Sequence, residues 1–449
     1  MESQNLIDIS VLKGDKLFNE NTPFIINISS PQPENTEKRF SADLICVIDI
    51  SGSMSGEKIE LVKQSLTILI EMMEKNDRLA LILFNHESSL FYDLALMDNN
   101  NKKILLEKIT KINAKGGTNI LSGLEKAVDI LKKEKDKTND DRVSSILLLS
   151  DGCDNYLDDI ELANSLRNIT KGLNLSFTLN TFGYGYDHDP KIMNKLANIR
   201  DGSFFLVEEY NKVSEYFVSV LGGCVSVVSK KSDLDVHLLN KKCKIVKIFG
   251  EKNLFSYDLK NDFFKTTMLQ FIYGKDYTFV LEIAIDKDVK IGEELLDINF
   301  TYEDLSQNNK LITKNYKYKY ELTDLQIAKA NEEYIRSQVY YILEEALQLR
   351  EKNEEDKAKK MLENMEDWIR KNYKGNNQIY LEDIIKTKNL FGDEYIFRSK
   401  GVTFATSQIR QMQSKKIGSN MLFSNKVQIN YSQKAQTKTV PYKKNNMFG

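Results

Sequence analysis

The chain has 449 residues, 41% of them apolar, which is enough for two or three domains with a large core. Its 63 basic and 65 acidic side chains nearly cancel, to a net charge of −2, so whole-chain charge excludes a nucleic-acid partner as the first expectation. No apolar run approaches the ~20 residues of a membrane-spanning helix, and Met1–Asp15 carries charges and no apolar stretch of secretory-signal length.

Two strand-like runs come first, Leu6–Leu12 and Pro23–Ser29, with no α/β partner nearby. A strand is then expected at 42–49, followed by a helix at 56–74 whose Ile59, Val62, Leu66, Leu69, Ile70 and Met73 recur at helical spacing. Strand Arg78–Phe84 and a short alternating strand Ser89–Leu96 read as an edge hairpin. Helices at 101–112 and 119–133 flank a Gly-rich loop. Next come strand 143–150, helix 157–170, strand Leu175–Gly183, helix Pro190–Ile199, strand Ser203–Val207 and helix 211–221. Strands alternating with helices imply an α/β fold with a doubly wound, mostly parallel sheet and right-handed crossovers.

The first of these strands ends in Asp49-Ile50-Ser51-Gly52-Ser53. Ligands bind outside the carboxyl ends of such strands, and Gly52 permits the tight turn that one carboxylate and two hydroxyls need to converge. All three are hard oxygen donors suited to a small divalent cation. By itself the pattern is weak, because Ser-rich strand-to-helix turns commonly serve as helix caps. Two more stretches strengthen it: the loop Lys115-Gly116-Gly117-Thr118-Asn119, and the apolar run from Ser145 that ends in Ser150-Asp151-Gly152.

In these residues the stretch from about 42 to 222 resembles the von Willebrand factor type A domain with a metal-ion-dependent adhesion site. The resemblance implies metal ligation by Asp49, Ser51, Ser53, Thr118 and Asp151, with a coordination position left open for a partner's Asp or Glu carboxylate. Mg²⁺ suits such a donor set and Mn²⁺ would substitute, whereas Ca²⁺ asks for more oxygens than these loops offer. Gly117, Asn119, Asp187 and Asp189 are expected at the partner surface. The family's binding mode, metal-bridged protein capture at the top of the sheet, is sometimes accompanied by a shift of the last helix.

From about 225 the apolar period becomes two, through Asp233–Leu239, Cys243–Phe249, Phe264–Phe271, Tyr277–Ile285, Leu295–Tyr302 and Lys310–Glu321, as in an antiparallel β-sandwich. The expected organisation is N-terminal strands of that sandwich at 1–40, the α/β domain at 41–222 inserted after them, and the sandwich proper at 223–321. A helical hairpin or bundle follows at 322–396, then a basic tail at 397–449. Residues 323–372 carry two apolar stripes joined at Lys352–Asp356, and a short helix at 379–389 closes the bundle. The segment 401–449 has eight Lys/Arg and no Asp/Glu, so it reads as a solvated, self-bound or partner-bound tail.

Cys46, Cys153, Cys224 and Cys243 lie far apart with no CxxC pair, as thiols in a reducing compartment do, so a cytoplasmic protein is expected. Cys153 and His188 invite a nucleophile pair, but nothing orients them. Asp154, Asp158 and Asp159 lack the spacing of a calcium loop, Gly183-x-Gly185 lacks the third glycine of a dinucleotide fingerprint, and His86 and His237 read as ordinary surface or core residues. A non-enzymatic, metal-dependent protein-binding module is the leading expectation. The alternative is a structural scaffold of a larger assembly, cytosolic, cytoskeletal or ciliary, that makes its contacts through the helices and tail.

Overall fold

The computed structural model describes residues 7–30, 40–135, 142–152, 154–173, 175–185, 190–207, 210–249, 255–258, 262–307, 309–321, 326–373, 378–392, 396–397, 401–402 and 405–406. Cys153, Asp187, His188, Asp189 and the tail beyond 406 lie outside the described residues.

Two strands open the chain, β1 (Asp8–Lys13) and β2 (Thr22–Ser29). The α/β region follows as β3 (Ala42–Asp49), α1 (Glu57–Met72), β4 (Arg78–Phe84), β5 (Ser88–Leu96), α2 (Asn99–Ile109), α3 (Ile120–Lys135), β6 (Val143–Ser150), α4 (Asp159–Thr170), β7 (Phe177–Tyr184), α5 (Pro190–Ile199), β8 (Phe204–Val207) and α6 (Tyr210–Val225). Its six strands lie in the order β5-β4-β3-β6-β7-β8. All are parallel except β5, which runs antiparallel to β4 at the edge. The doubly wound sheet expected from the alternation of strand and helix patterns is present.

Strand β3 shows why the sheet has helices on both faces. Its Leu44, Cys46 and Ile48 pack into a core built with residues of α1, α2 and α6, while Ile45 and Val47 pack opposite, with residues of α3, α4 and α5. Leu147 and Leu149 of β6 join the first core, Ile146 and Leu148 the second. A one-residue slip would exchange the two sets, so the apolar run also locks the register. That register fixes which side chains reach the carboxyl ends of the strands, where the Asp-x-Ser-x-Ser turn begins.

The remaining strands are β9 (Val227–Ser229), β10 (Ser232–Leu238), β11 (Cys243–Ile248), β12 (Phe255–Asp258), β13 (Phe263–Met268), β14 (Phe271–Ile272), β15 (Asp276–Ile285), β16 (Glu294–Asp304) and β17 (Lys310–Lys319). They form flanking antiparallel sheets of order β1-β2-β15-β11 and β12-β13-β10-β16-β17, with β14 paired to β9. The N-terminal strands therefore pair with a late one: β2 runs beside β15 from Ser29 opposite Asp276 to Thr22 opposite Ile283. Phe24, Ile26, Leu281 and Ile283 from one sheet share a core with Leu234, Val236, Phe264 and Ile298 from the other. Strands β9, β12 and β14 were not expected, since two to four residues are too few to show a period.

Helices α7 (Ile327–Glu351), α8 (Glu355–Asn372) and α9 (Gln378–Phe391) complete the described chain. The hairpin turn between α7 and α8 places Asn353 at φ +62°, a conformation asparagine tolerates. Ala330 and Tyr334 of α7 pack on Leu12, Ile25 and Val280, the outer face of the β1-β2-β15 sheet. Buried Glu282 of β15 accepts hydrogen bonds there from Tyr334 (2.7 Å), Gln338 (3.0 Å) and Asn19 (3.0 Å), which keeps its polar group satisfied. Among the described residues no helix is long and apolar enough to cross a membrane.

Candidate metal centre

Strand β3 delivers Asp49, fully buried, to the carboxyl end of the sheet. The chain then turns, and the Ser51 amide donates to Asp49 Oδ1 at 2.8 Å. The hydroxyls of buried Ser51 and exposed Ser53 stand 3.1 Å apart. Gly52 donates its amide to the Gly116 carbonyl at 2.8 Å, and a β-carbon on Gly52 would lie 3.3 Å from that oxygen. Glycine thus lets the first loop lie against the second.

The second loop is held from both sides. Lys115 N donates to the Ile50 carbonyl at 2.6 Å, tying it to the first loop. Buried Thr118 is clamped by Asn155, whose Oδ1 accepts from Thr118 N at 2.7 Å and whose own amide donates to Thr118 O at 3.0 Å. On the other flank His86 Nε2 accepts from Gly117 N at 3.0 Å, and His86 Nδ1 meets the Tyr156 hydroxyl at 3.0 Å. Because a backbone amide can only donate, Nε2 carries the lone pair and Nδ1 the proton. A β-carbon on Gly117 would come within 2.5 Å of His86 Cε1 and 2.9 Å of Asn155 Oδ1, so any other residue here would push the two clamps aside. Asn119 Oδ1 accepts from Ser122 N at 3.1 Å and Asp154 Oδ2 accepts from Ile120 N at 2.7 Å, which together cap the start of α3. Gly117 and Asn119, expected at the partner surface, are both only partly exposed.

The third loop follows β6. Ser150 donates its hydroxyl to Asp49 Oδ2 at 2.6 Å and accepts from Gly152 N at 2.9 Å, so Asp49 and the residue before Asp151 are bonded directly. Asp151 is fully buried, and Lys58 of α1 reaches its Oδ2 at 3.1 Å. Burial pushes the Asp49 carboxyl up to about 6; hydrogen bonds from Ser150 and Ser51 oppose the rise, and the nearby charge of Asp151 adds to it.

Hydrogen bonds thus tie the three loops carrying Asp49, Ser51, Ser53, Thr118 and Asp151 into one unit, with Thr118 joined to the others through Gly116 and Asn155. Among the described residues no three His, Cys, Asp or Glu side chains gather as a metal cluster. The grouping is two carboxylates with three hydroxyls, and this donor chemistry fits a small hard cation. Two buried carboxylates close enough to repel favour a cation beside them, and the Lys58 ammonium on Asp151 is one. Four residues of the unit were missed in the sequence: Ser150, Lys58, Asn155 and His86. His86 in particular is a clamp of the Gly-rich loop, and its separation of 31 residues from Gly117 hides that contact from any local pattern.

The sequence profile of the von Willebrand factor type A domain matches residues 43–218. An uncharacterized protein of Synechocystis is 28% identical over 215 residues, 47% of this chain and 49% of its own length. Inter-alpha-trypsin inhibitor heavy chain H2 of Mesocricetus auratus is 29% identical over 196 residues, 40% of this chain and 20% of its own. This chain therefore spans half the length, or less, of these curated relatives. Among solved structures, a von Willebrand factor type A protein from Catenulispora acidiphila superposes with a TM-score of 0.66 at 13% identity, over 92% of this chain and 98% of that one. The ArnB paralog VWA2 from Sulfolobus acidocaldarius gives 0.55 at 16% identity, over 91% and 99%. At these identities the likeness is one of fold, and it extends through the flanking sheets and helices.

Proposed function

Taking residues 43–218 as a von Willebrand factor type A domain, we propose that this chain is a non-enzymatic, metal-dependent protein-binding module. Asp49, Ser51, Ser53, Thr118 and Asp151 would hold Mg²⁺, with Mn²⁺ able to replace it. When bound, the cation supplies an electrophilic position that a carboxylate from a partner's Asp or Glu completes. The observation that carries this reading is the convergence of two buried carboxylates and a hydroxyl pair on loops bonded to one another at the end of the sheet.

Each residue has a distinct part. Asp49, held by Ser51 and Ser150, contributes charge from a fixed position. Ser51 and Ser53 offer neutral oxygens, which leave more of the cation's charge for the partner. Asn155 and His86 keep the Thr118 loop in place. Lys58 on Asp151 would turn away or share the carboxylate when a cation enters. Hydroxyls make a poor general base, which supports binding over catalysis. We also propose a cytoplasmic location, supported by the buried, unpaired thiols of Cys46, Cys224 and Cys243.

Calorimetric titration of a glutamate-containing peptide into the full chain tests the reading. Binding should appear in Mg²⁺, vanish in EDTA, and vanish in Asp151→Ala. Equal binding with and without EDTA would contradict it.

A further inference from the structure

The two flanks of the centre differ in charge. Residues 99–115, which run through α2 to the Gly-rich loop, contain five lysines and one acidic residue, Glu107. Lys103, Lys108, Lys111 and Lys115 are exposed. Among the described residues, the salt bridges of this chain involve none of these four. On the opposite flank, the start of α4 exposes Asp158 and Glu161, together with Tyr156 (56%) and Ile160 (59%).

The lysines form a track that ends at the centre. Because β5 runs antiparallel to β4, it returns the chain to the amino ends of the parallel strands, where Met97 N meets the Asp77 carbonyl; α2 then climbs toward the carboxyl ends, so Lys103 lies lower and Lys111 and Lys115 higher. Lys115 sits beside the first loop, through its amide bond to the Ile50 carbonyl at 2.6 Å. A shallow groove of about 690 Å³ runs along this face of α2, lined by Lys102, Lys103, Lys111, Leu106 and Thr110, with Glu107 its one acidic side chain. Lys108 stands 5.4 Å from the Tyr92 ring centroid and 5.9 Å from that of Phe91, which places its ammonium over aromatic faces of β5.

We propose that the partner segment supplying the carboxylate continues as an acidic run over Lys115 and Lys111 and into the α2 groove toward Lys103. This rests on the metal-bridged reading above and adds the chemistry and direction of the partner. Charge complementarity selects an acidic peptide. A nucleic-acid duplex or a membrane surface would also press on Asp158 and Glu161, whereas a narrow extended chain avoids them. Six extended residues reach about 20 Å, long enough to pass from the centre onto the helix.

The probe is fluorescein-labelled hexaglutamate, titrated by anisotropy into the full chain in Mg²⁺. Lys111→Glu with Lys115→Glu should weaken it about tenfold and flatten its salt dependence, whereas Lys241→Glu, on an exposed turn of the flanking sheets, should leave it unchanged. Loss in the double variant with binding that survives EDTA would support the track and sink the metal bridge. Loss in EDTA with full binding by the double variant would sink the track alone. Binding of a 12-base-pair duplex or of phosphatidylserine vesicles that falls in the double variant, with hexaglutamate indifferent to it, would also overturn the proposal.

Discussion

Strand β3 has an aspartate near each end, and the two are treated differently. Asp43, 4% exposed, is gripped by Arg78, through Nε at 2.8 Å and Nη2 at 2.6 Å, and by Arg142 Nε at 2.6 Å. Asp49, fully buried, receives its hydrogen bonds from an amide and a hydroxyl, and burial pushes its carboxyl up to about 6. Guanidiniums neutralise the first and fasten the strand to its neighbours. Neutral donors orient the second and leave its charge to act on something else. On the reading proposed above, the same side chain is structural at one end of the strand and a cation ligand at the other because of what stands opposite it.

The largest effect should come from breaking the two ends separately. Asp43→Ala leaves the Arg142 guanidinium partly buried without a carboxylate and Arg78 with Glu134 at 2.7 Å, so urea unfolding should show a loss of about 3 kcal/mol. Its Mg²⁺ affinity, measured in the folded state, should not change. Asp49→Ala should act chiefly on the metal, lowering Mg²⁺ affinity about hundredfold or more and moving the urea midpoint less than Asp43→Ala does, because relief of the buried carboxyl offsets the hydrogen bonds lost from Ser51 and Ser150. If both substitutions destabilise alike and neither touches metal affinity, the contrast is void.

The two aspartates should also differ in their response to pH. The folded chain raises the Asp49 carboxyl from its ordinary 3.8 to about 6, so between those values the folded state holds a proton that the unfolded chain has released. Metal-free stability should therefore fall as pH rises through this window, by about 2–3 kcal/mol, and level off above it. Subtracting the same curve for Asp49→Asn isolates the effect; a flat difference would contradict the burial argument. The smallest effect concerns the clamp on Thr118. Asn155→Ala removes the partner of the Thr118 amide, and calorimetry should find Mg²⁺ affinity lowered about fivefold, near 1 kcal/mol, with a small fall in unfolding temperature.

What could be read in the sequence divides along the same line. The buried parallel strand and its terminal Asp49 are local: an apolar run, then oxygen donors at alternate positions, all within a dozen residues. The doubly wound sheet and the flanking antiparallel sheets followed from such runs and their periods. The contacts that set the centre's geometry are not local. Ser150 meets Asp49 across 101 residues and Lys58 meets Asp151 across 93, and nothing in the spacing of either pair marks the contact. Arg142 likewise reaches Asp43 across 99 residues, so the fastened end of β3 was as hidden as the support of the other. Strand β14 was missed because its two residues gain their pairing from β9 and from the core around Phe271.

If five oxygen-bearing side chains from three loops enclose one cation, paramagnetic titration of Mn²⁺ into the EDTA-treated full chain will count it. One tight site per chain is predicted, lost together in Asp49→Ala, Thr118→Ala and Asp151→Ala. Retention of that site in Thr118→Ala and Asp151→Ala, or its absence from the unaltered chain, would contradict the claim.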